Sequence, residues 1–258
     1  MIIASHTDVG MKRTENQDYH ITKKYSKKTS LCVVCDGVGG AKSGEEASQI
    51  AAKAFVGYMD KFLDLYIGNK HITVTSDEIK KAMLAALDTA NERVYKHAQG
   101  HFSKKGMGTT MVAALVIDKT VFILNVGDSR AYFLKGNKIK QITKDHSYVQ
   151  YLMDIGQLTE EEALKSDKKN IITRAVGTEK AVDGDIYKET VTAGTFILLC
   201  TDGLTNYIMP DVMCDIVSND YNASSIDEIG LTVRARKLVD KANDLGGADN
   251  ITVALMRI

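Results

Sequence analysis

Four aspartates share one setting, an apolar run beside an acidic residue with glycine close by. They are Asp36 in Val33-Val34-Cys35-Asp36-Gly37, Asp128 in Leu124-Asn125-Val126-Gly127-Asp128, Asp202 in Leu198-Leu199-Cys200-Thr201-Asp202-Gly203, and Asp249 in Gly247-Ala248-Asp249-Asn250 ahead of Ile251-Thr252-Val253. Any one of them reads as a turn or cap residue bonding its own loop. Four at strand ends can converge. Converging carboxylates repel, and desolvation raises their pKa values. A divalent cation removes both penalties, and an all-oxygen ligand set selects a hard ion such as Mg2+ or Mn2+ over zinc.

Asp36-Gly37-Val38-Gly39-Gly40 is the densest feature, since glycines let backbone carbonyls approach a ligand or metal. It is not a Walker-A loop, because Ala41 separates Gly40 from Lys42. It is not a dinucleotide fingerprint, because Lys42 stands where the third glycine belongs. Arg13-Thr14-Glu15-Asn16-Gln17-Asp18 reads either as a solvated loop or as a phosphate site. In the second reading Arg13 forks onto a phosphate, while Gln17 and Asp18 hold waters around a metal.

Other nucleophiles fail on spacing. A phosphate-cradling C-x5-R would need Arg where Val38, Ala41, Asn206 and Asp220 stand, and the esterase elbow G-x-S-x-G breaks at Ala131. Cys32 and Cys35 spell C-x-x-C, but on a strand the two thiols face opposite sides and cannot share a metal. His97 and His101 sit four apart near a helix end, without a further ligand in view. His146 is placed where it could meet substrate.

The elements that must position these groups are legible in outline. Ile2 to Thr7, Tyr19 to Thr22 and Leu31 to Cys35 read as strands. Ser43-Gly44-Glu45-Glu46 reads as a capping box with Ser43 as N-cap of a helix whose stripe is Ala47, Ile50, Ala51, Ala54, Tyr58, Phe62 and Leu65. A second helix opens at Thr75-Ser76-Asp77-Glu78 and carries Ile79, Met83, Ala86, Ala90 and Val94. Strands return at Thr109 to Ile117, Val121 to Val126, Ala131 to Leu134 and Lys138 to Ile142. Ser147 to Asn170 is polar, with short helical pieces stopped at Gly156 and capped at Thr159. Strands at Thr195 to Cys200 and Ile251 to Met256 enclose helices near Asp211 to Val217 and Ile226 to Asn243. Grouped strands with long helices outside them give an α+β fold.

Composition narrows the function. The 258 residues carry 33 Lys plus Arg and 33 Asp plus Glu, so no global field draws the chain to nucleic acid or an anionic membrane. A divalent-metal nuclease would want a basic groove, and neutrality gives no sign of one. With no linker and one proline, the chain reads as a single domain, 1–258. No apolar stretch reaches a membrane span and the first residues lack a signal peptide, so a cytoplasmic protein with free thiols is expected.

Eight motifs in order resemble the type-2C, metal-dependent serine/threonine protein phosphatases of the compact bacterial kind. They are Gly10 to Asp18, Asp36 to Gly40, Gly108-Thr109-Thr110, Asn125 to Tyr132, Thr143-Lys144-Asp145-His146-Ser147, Thr173 to Gly177, Thr201-Asp202-Gly203-Leu204 and Asp249-Asn250-Ile251-Thr252. The resemblance spans almost the whole chain. It implies a sandwich of two antiparallel sheets flanked by helix pairs, in α-β-β-α layers, with a flap at about 146–170. It implies that Asp36 bridges two Mn2+ or Mg2+ ions, that Gly37 offers its carbonyl, and that Asp202 and Asp249 complete the set. Asp128 would hold a third, weaker ion with Asp202. Asp18 would act through waters, with Gln17 and Asn250 also in the outer layer, and Arg13 would bind the substrate phosphate.

The implied reaction is hydrolysis of phosphoserine and phosphothreonine in proteins by a metal-bridging hydroxide, opposing a cognate serine/threonine kinase, in a monomeric enzyme. The alternative is a non-catalytic metal-binding regulatory module on the same fold, which should have lost a metal carboxylate or Arg13. Two departures stand out: Gln17 where many members carry Glu, and Val38 where eukaryotic members carry a His assigned as general acid. A metal-bound water would take that His's role.

Overall fold

The structure, a computed structural model, describes residues 1–68, 74–100, 104, 106–218 and 226–258. The chain opens with β1 (Ile2–Asp8), β2 (Asp18–Lys24) and β3 (Thr29–Val38), followed by α1 (Ala41–Gly68) and α2 (Ser76–Gln99). Next come β4 (Gly108–Thr109), β5 (Met111–Ile117), β6 (Thr120–Val126), β7 (Arg130–Lys135) and β8 (Lys138–Gln141). Two short helices, α3 (Tyr148–Asp154) and α4 (Glu160–Lys165), precede β9 (Asp185–Thr190) and β10 (Phe196–Cys200). The chain then runs through α5 (Asp202–Thr205), α6 (Pro210–Ser218), α7 (Glu228–Asp244) and β11 (Ile251–Arg257).

One sheet is ordered β1-β11-β10-β7-β8 and the other β2-β3-β5-β6-β9, with β4 added on β3. Every pairing is antiparallel. Three apolar layers hold the stack together. Phe55, Met59 and Leu63 of α1, with Met83 and Leu87 of α2, cover Leu31, Val33 and Leu115 of the second sheet. Leu231 and Leu238 of α7 cover Leu198 and Leu255 of the first. Between the sheets lie Val34, Val112, Ile197, Leu199 and Ala254. Each such side chain taken fully out of water contributes roughly 1.5–3 kcal/mol, so the α-β-β-α layering follows from two sheets that are apolar on both faces.

The strand period explains the cysteines. Cys35 sits under the helices with Leu31 and Val33, and Cys32 sits between the sheets with Val34. Burial pushes both thiols far above their ordinary pKa, and Cys200 up to about 12.

Caps are borne out at two helices. Thr75 and Glu78 form a capping box on α2, and Thr159 with Glu162 forms another on α4. At α1 the expectation needs correction. The helix begins at Ala41, and Gly40 O already accepts the Gly44 N–H at 3.0 Å, so Ser43 lies inside the first turn. Glu46 turns to Lys104 and His97 instead of back to Ser43. The buried face of α1 runs through Ala51, Phe55, Met59 and Leu63, while Tyr58 and Leu65 are exposed. Of the expected stripe, Ala47, Ala51 and Ala54 are in the core, Ile50 and Phe62 pack against it half-buried, and Tyr58 and Leu65 fall outside. His101 lies outside the described residues.

β9 was not expected. Its sequence, Asp-Ile-Tyr-Lys-Glu-Thr, is polar because it is an edge strand paired only with β6.

All four cysteines are buried and unpaired. The native protein should therefore react negligibly with a thiol reagent such as DTNB, and four thiols should titrate in guanidinium. Rapid native reaction of the Cys32–Cys35 pair would contradict this burial.

Candidate active site

The strand ends bring the acidic residues together from five separate stretches of chain. β2 and β3 pair in a register that sets Asp18 opposite Asp36. Asp36 lies within β3 and not in a loop after it, because the glycine that follows still pairs with Thr109 of β4. Its N–H donates to Thr110 Oγ1 at 3.0 Å. Its carbonyl accepts from the Thr109 hydroxyl and the Thr110 N–H, each at 2.8 Å. Asp128 sits in the turn between β6 and β7, Asp202 opens α5 directly after β10, and Asp249 immediately precedes the residue before β11.

A cleft of about 400 Å³ is lined by Asp36, Asp128, Asp202, Asp249, Arg13 and Gln17, with the glycine loop 37–40 as its floor. Gly37 owes its identity to packing: a Cβ there would stand 2.1 Å from Gly44 O in α1. Two of the expected residues lie behind the cleft and not on it. Asp18 is buried, its Oδ2 accepting the Thr201 hydroxyl at 2.9 Å. Asn250 is a brace: its Oδ1 accepts the Gln17 N–H at 2.8 Å, and its Nδ2 donates to Val9 O and Glu15 O, each at 2.9 Å. It ties the loop carrying Arg13 to the turn carrying Asp249.

The electrostatics follow from this crowding. Burial, then the charges of Asp18, Asp202, Asp128 and Asp249, holds the Asp36 carboxyl well above the usual carboxylate range. Burial pushes Asp18 up to about 7, against hydrogen bonds from Thr252 and Thr201 that favour its charged form. Asp128 rises to about 8 through burial and the charges of Asp202 and Asp145. Asp202 is raised by burial and by Asp249, while hydrogen bonds from Asn206 and Asp36 pull the other way. Arg13 forks onto Asp249, with Nε 2.9 Å from Oδ1 and Nη2 2.9 Å from Oδ2, so its own pKa is raised.

The donor set suits a hard divalent cation. It is all oxygen, its members raise one another's pKa, and Asp18 Oδ1 is buried without a hydrogen-bond partner. Among the described residues, no three His, Cys, Asp or Glu side chains already close tightly around one point.

Sequence reasoning gave no role to the residues that hold these groups in place, although four of them lie in its motifs. Thr109 and Thr110 fix Asp36, Thr201 and Thr252 fix Asp18, and Asn206 donates Nδ2 to Asp202 Oδ2 at 3.0 Å. The i, i+4 spacing of Asp202 and Asn206 was the one local signal available. His146, expected near substrate, is 7% exposed and turned away from the cleft toward Gly127 and Asp185.

A helix-flanked sandwich with an acidic, all-oxygen cleft at its strand ends defines a hydrolase built around divalent cations. The chain belongs to the protein phosphatase 2C family, whose profile matches residues 4–239. The protein phosphatase PhpP of Streptococcus pneumoniae is 35% identical over 259 residues, covering 99% of this chain and 97% of PhpP. The serine/threonine phosphatase Stp1 of Staphylococcus aureus has the same fold, with a TM-score of 0.86 at 32% identity over 100% of this chain and 95% of Stp1. The catalytic domain of the serine/threonine phosphatase PstP, solved with two manganese ions, has a TM-score of 0.78 at 28% identity over 98% of this chain and 96% of that domain.

The raised carboxyls predict a pH signature in chelator. A buried Asp whose folded pKa exceeds its unfolded value costs nothing when both states are protonated, and costs progressively more as pH rises from the unfolded toward the folded pKa. For Asp128 that window runs from 3.8 to about 8. In EDTA, Asp128→Asn should melt with the wild type near pH 4 and above it at pH 8 to 9. A difference that stays flat or reverses would show that Asp128 ionises freely.

Proposed function

We infer that this chain hydrolyses phosphoserine and phosphothreonine in proteins with the help of Mn2+ or Mg2+. The observation that carries this is the meeting of Asp36, Asp128, Asp202, Asp249 and Arg13 on one cleft. A non-catalytic module would have no reason to keep all five.

Asp36, the Gly37 carbonyl, Asp202 and Asp249 would hold two ions, with Asp36 shared between them. Asp128 and Asp202 are the candidates for a third, weaker ion. Ions held there lower the pKa of water and neutralise the charge of an in-line displacement. Asp18, whose Oδ1 has no protein partner, is placed to accept a hydrogen bond from behind the cleft. Gln17, on the cleft wall, donates to Gly40 O at 2.9 Å and steadies the glycine loop. Asn250 keeps the Arg13 loop and the Asp249 turn in register.

Arg13 has two roles in this reading. With Asp249 unshared, the guanidinium neutralises it. Were Asp249 to hold a cation, the guanidinium would be free to bind a phosphate dianion, whose oxygens match its planar fork. With Val38 on the loop, no imidazole there protonates the leaving seryl or threonyl oxygen.

A protein substrate is supported by what adjoins the cleft. A second cavity of about 480 Å³ lies between α3, α4 and residues 205–210, and shares Asp128, Asn170 and Asp202 with the first. Residues 146–170 act as a flap over this side. A cognate serine/threonine kinase would supply the phosphorylated targets. The reading includes a monomer working in the cytoplasm. No described helix is long and apolar enough to cross a membrane.

Hydrolysis of a phosphothreonine peptide should require Mn2+ or Mg2+ and stop in excess EDTA, and Asp202→Asn should fold yet lose most turnover. Full turnover in EDTA would remove the ions from the reaction. Arg13→Ala should cost on the order of 2 kcal/mol in kcat/KM, with both KM and kcat affected. Calorimetry should show its Mn2+ affinity kept or tightened, since Asp249 loses a competing cation. Loss of Mn2+ binding would make Arg13 a brace of the metal site instead.

A further inference from the structure

Residues 142–146 are stapled along the turn that carries Asp128. Ile142 donates its N–H to Ala131 O at 2.8 Å, Ala131 donates to Thr143 Oγ1 at 3.0 Å, and Asn125 Nδ2 reaches Lys144 O at 3.1 Å. Arg130, two residues beyond Asp128, grips both oxygens of Asp145. His146 makes the last two contacts, and both go to Gly127. Its backbone N–H donates to Gly127 O at 2.9 Å, and its ring Nδ1 accepts the Gly127 N–H at 3.2 Å.

That second contact decides the state of the ring. A backbone N–H can only donate, so Nδ1 is unprotonated and the neutral ring carries its proton on Nε2. Nε2 stands 3.2 Å from Asp185 Oδ2 on β9, which accepts it. Arg174 Nη1 is 3.3 Å from the same nitrogen, but it is a donor only and has an acceptor in Asp185 Oδ1 at 3.4 Å. The carboxylate thus orients the imidazole, and the imidazole orients the turn.

The turn needs such a partner. Gly127 has φ +102°, and a Cβ there would lie 2.6 Å from Thr110 Cγ2. Its N–H is enclosed in protein, so loss of its acceptor would leave a buried donor unpaired. His146 also anchors the base of the segment opposite: its carbonyl accepts the Thr173 N–H at 2.8 Å, beside the Ser147–Ile172 bridge.

We propose that His146 is a positioning residue, which through the Nδ1 acceptor it offers to the Gly127 amide fixes the turn that aims Asp128 into the cleft. Its effect on turnover rests on the reading of Asp128 as an ion ligand. The residue touches neither substrate nor ion.

Two substitutions separate the two ring nitrogens. His146→Asn keeps an acceptor at the place of Nδ1, and His146→Gln keeps a donor at the place of Nε2 but offers Gly127 nothing. Both should fold, with His146→Gln melting below His146→Asn because it leaves the Gly127 donor unpaired. On a phosphothreonine peptide, His146→Gln should lose about tenfold in kcat with KM little changed and need more Mn2+ for half-maximal rate, while His146→Asn should recover most of the loss. Calorimetry with Mn2+ alone should show the weakest site weakened further in His146→Gln than in His146→Asn. Equal behaviour of the two variants, or a better His146→Gln, overturns the proposal.

If both variants unfold, nitrogen-detected NMR of the wild type decides. A ring protonated on Nε2 with a slowly exchanging Gly127 amide supports the assignment, and a ring protonated on Nδ1 overturns it. A wild-type protein that binds Mn2+ but leaves the peptide intact would sink the phosphatase reading, while the Mn2+ titrations and the tautomer would still decide the role of His146.

Discussion

Carboxyl groups that repel one another are held where the two sheets run out, and the surrounding structure is arranged to withstand that repulsion. Left to themselves, Asp36, Asp128, Asp202 and Asp249 would swing apart into water. Instead each is rooted in a strand, a turn or a helix start whose backbone is pinned. Thr109 and Thr110 pin the backbone of Asp36, while the Thr201 hydroxyl and the Asn206 amide donate to the carboxylates of Asp18 and Asp202 and stabilise their charged form without adding a competing charge. The strain is electrostatic and local, and the three apolar layers supply the stability that tolerates it.

Rigidity in this design comes from close approach as much as from bonding. Gly37 and Gly44 let β3 and the start of α1 meet without side chains between them, so the glycine loop is wedged between sheet and helix. Asn250 does the same work on the other side with hydrogen bonds, joining Val9, Glu15 and Gln17 to the turn at Asp249. The site is therefore framed by two stiff supports and closed by Arg13, the group with a reason to move.

Much of this was legible in the sequence, and the reasons differ by level. The aspartates stood out because an acidic residue against an apolar run conflicts with burial and needs an explanation. The helices from Thr75 and Thr159 were readable because a capping box is local chemistry. The start of α1 was not, because Glu46 has a stronger offer from Lys104 and His97, which lie far away in sequence. β9 was hidden because an edge strand needs no apolar alternation. Asp18, Asn250 and His146 show the limit at the site itself. Their types and positions flagged them, yet whether each faces the cleft or props it from behind depends on register and partners that no single stretch of sequence contains.

The strand order has a consequence for how the protein comes into being. β11 is the last described strand, yet it lies between β1 and β10, so β1 has no neighbour in its own sheet until β11 arrives. Asp249 and Asn250 come with it. A chain emerging from the ribosome can complete the sheet of β2, β3, β5, β6 and β9 early, with its acidic residues already exposed, but the other sheet stays open until residue 257 is free. The interval before closure is when the unpaired β1 edge is open to capture by a chaperone or another chain.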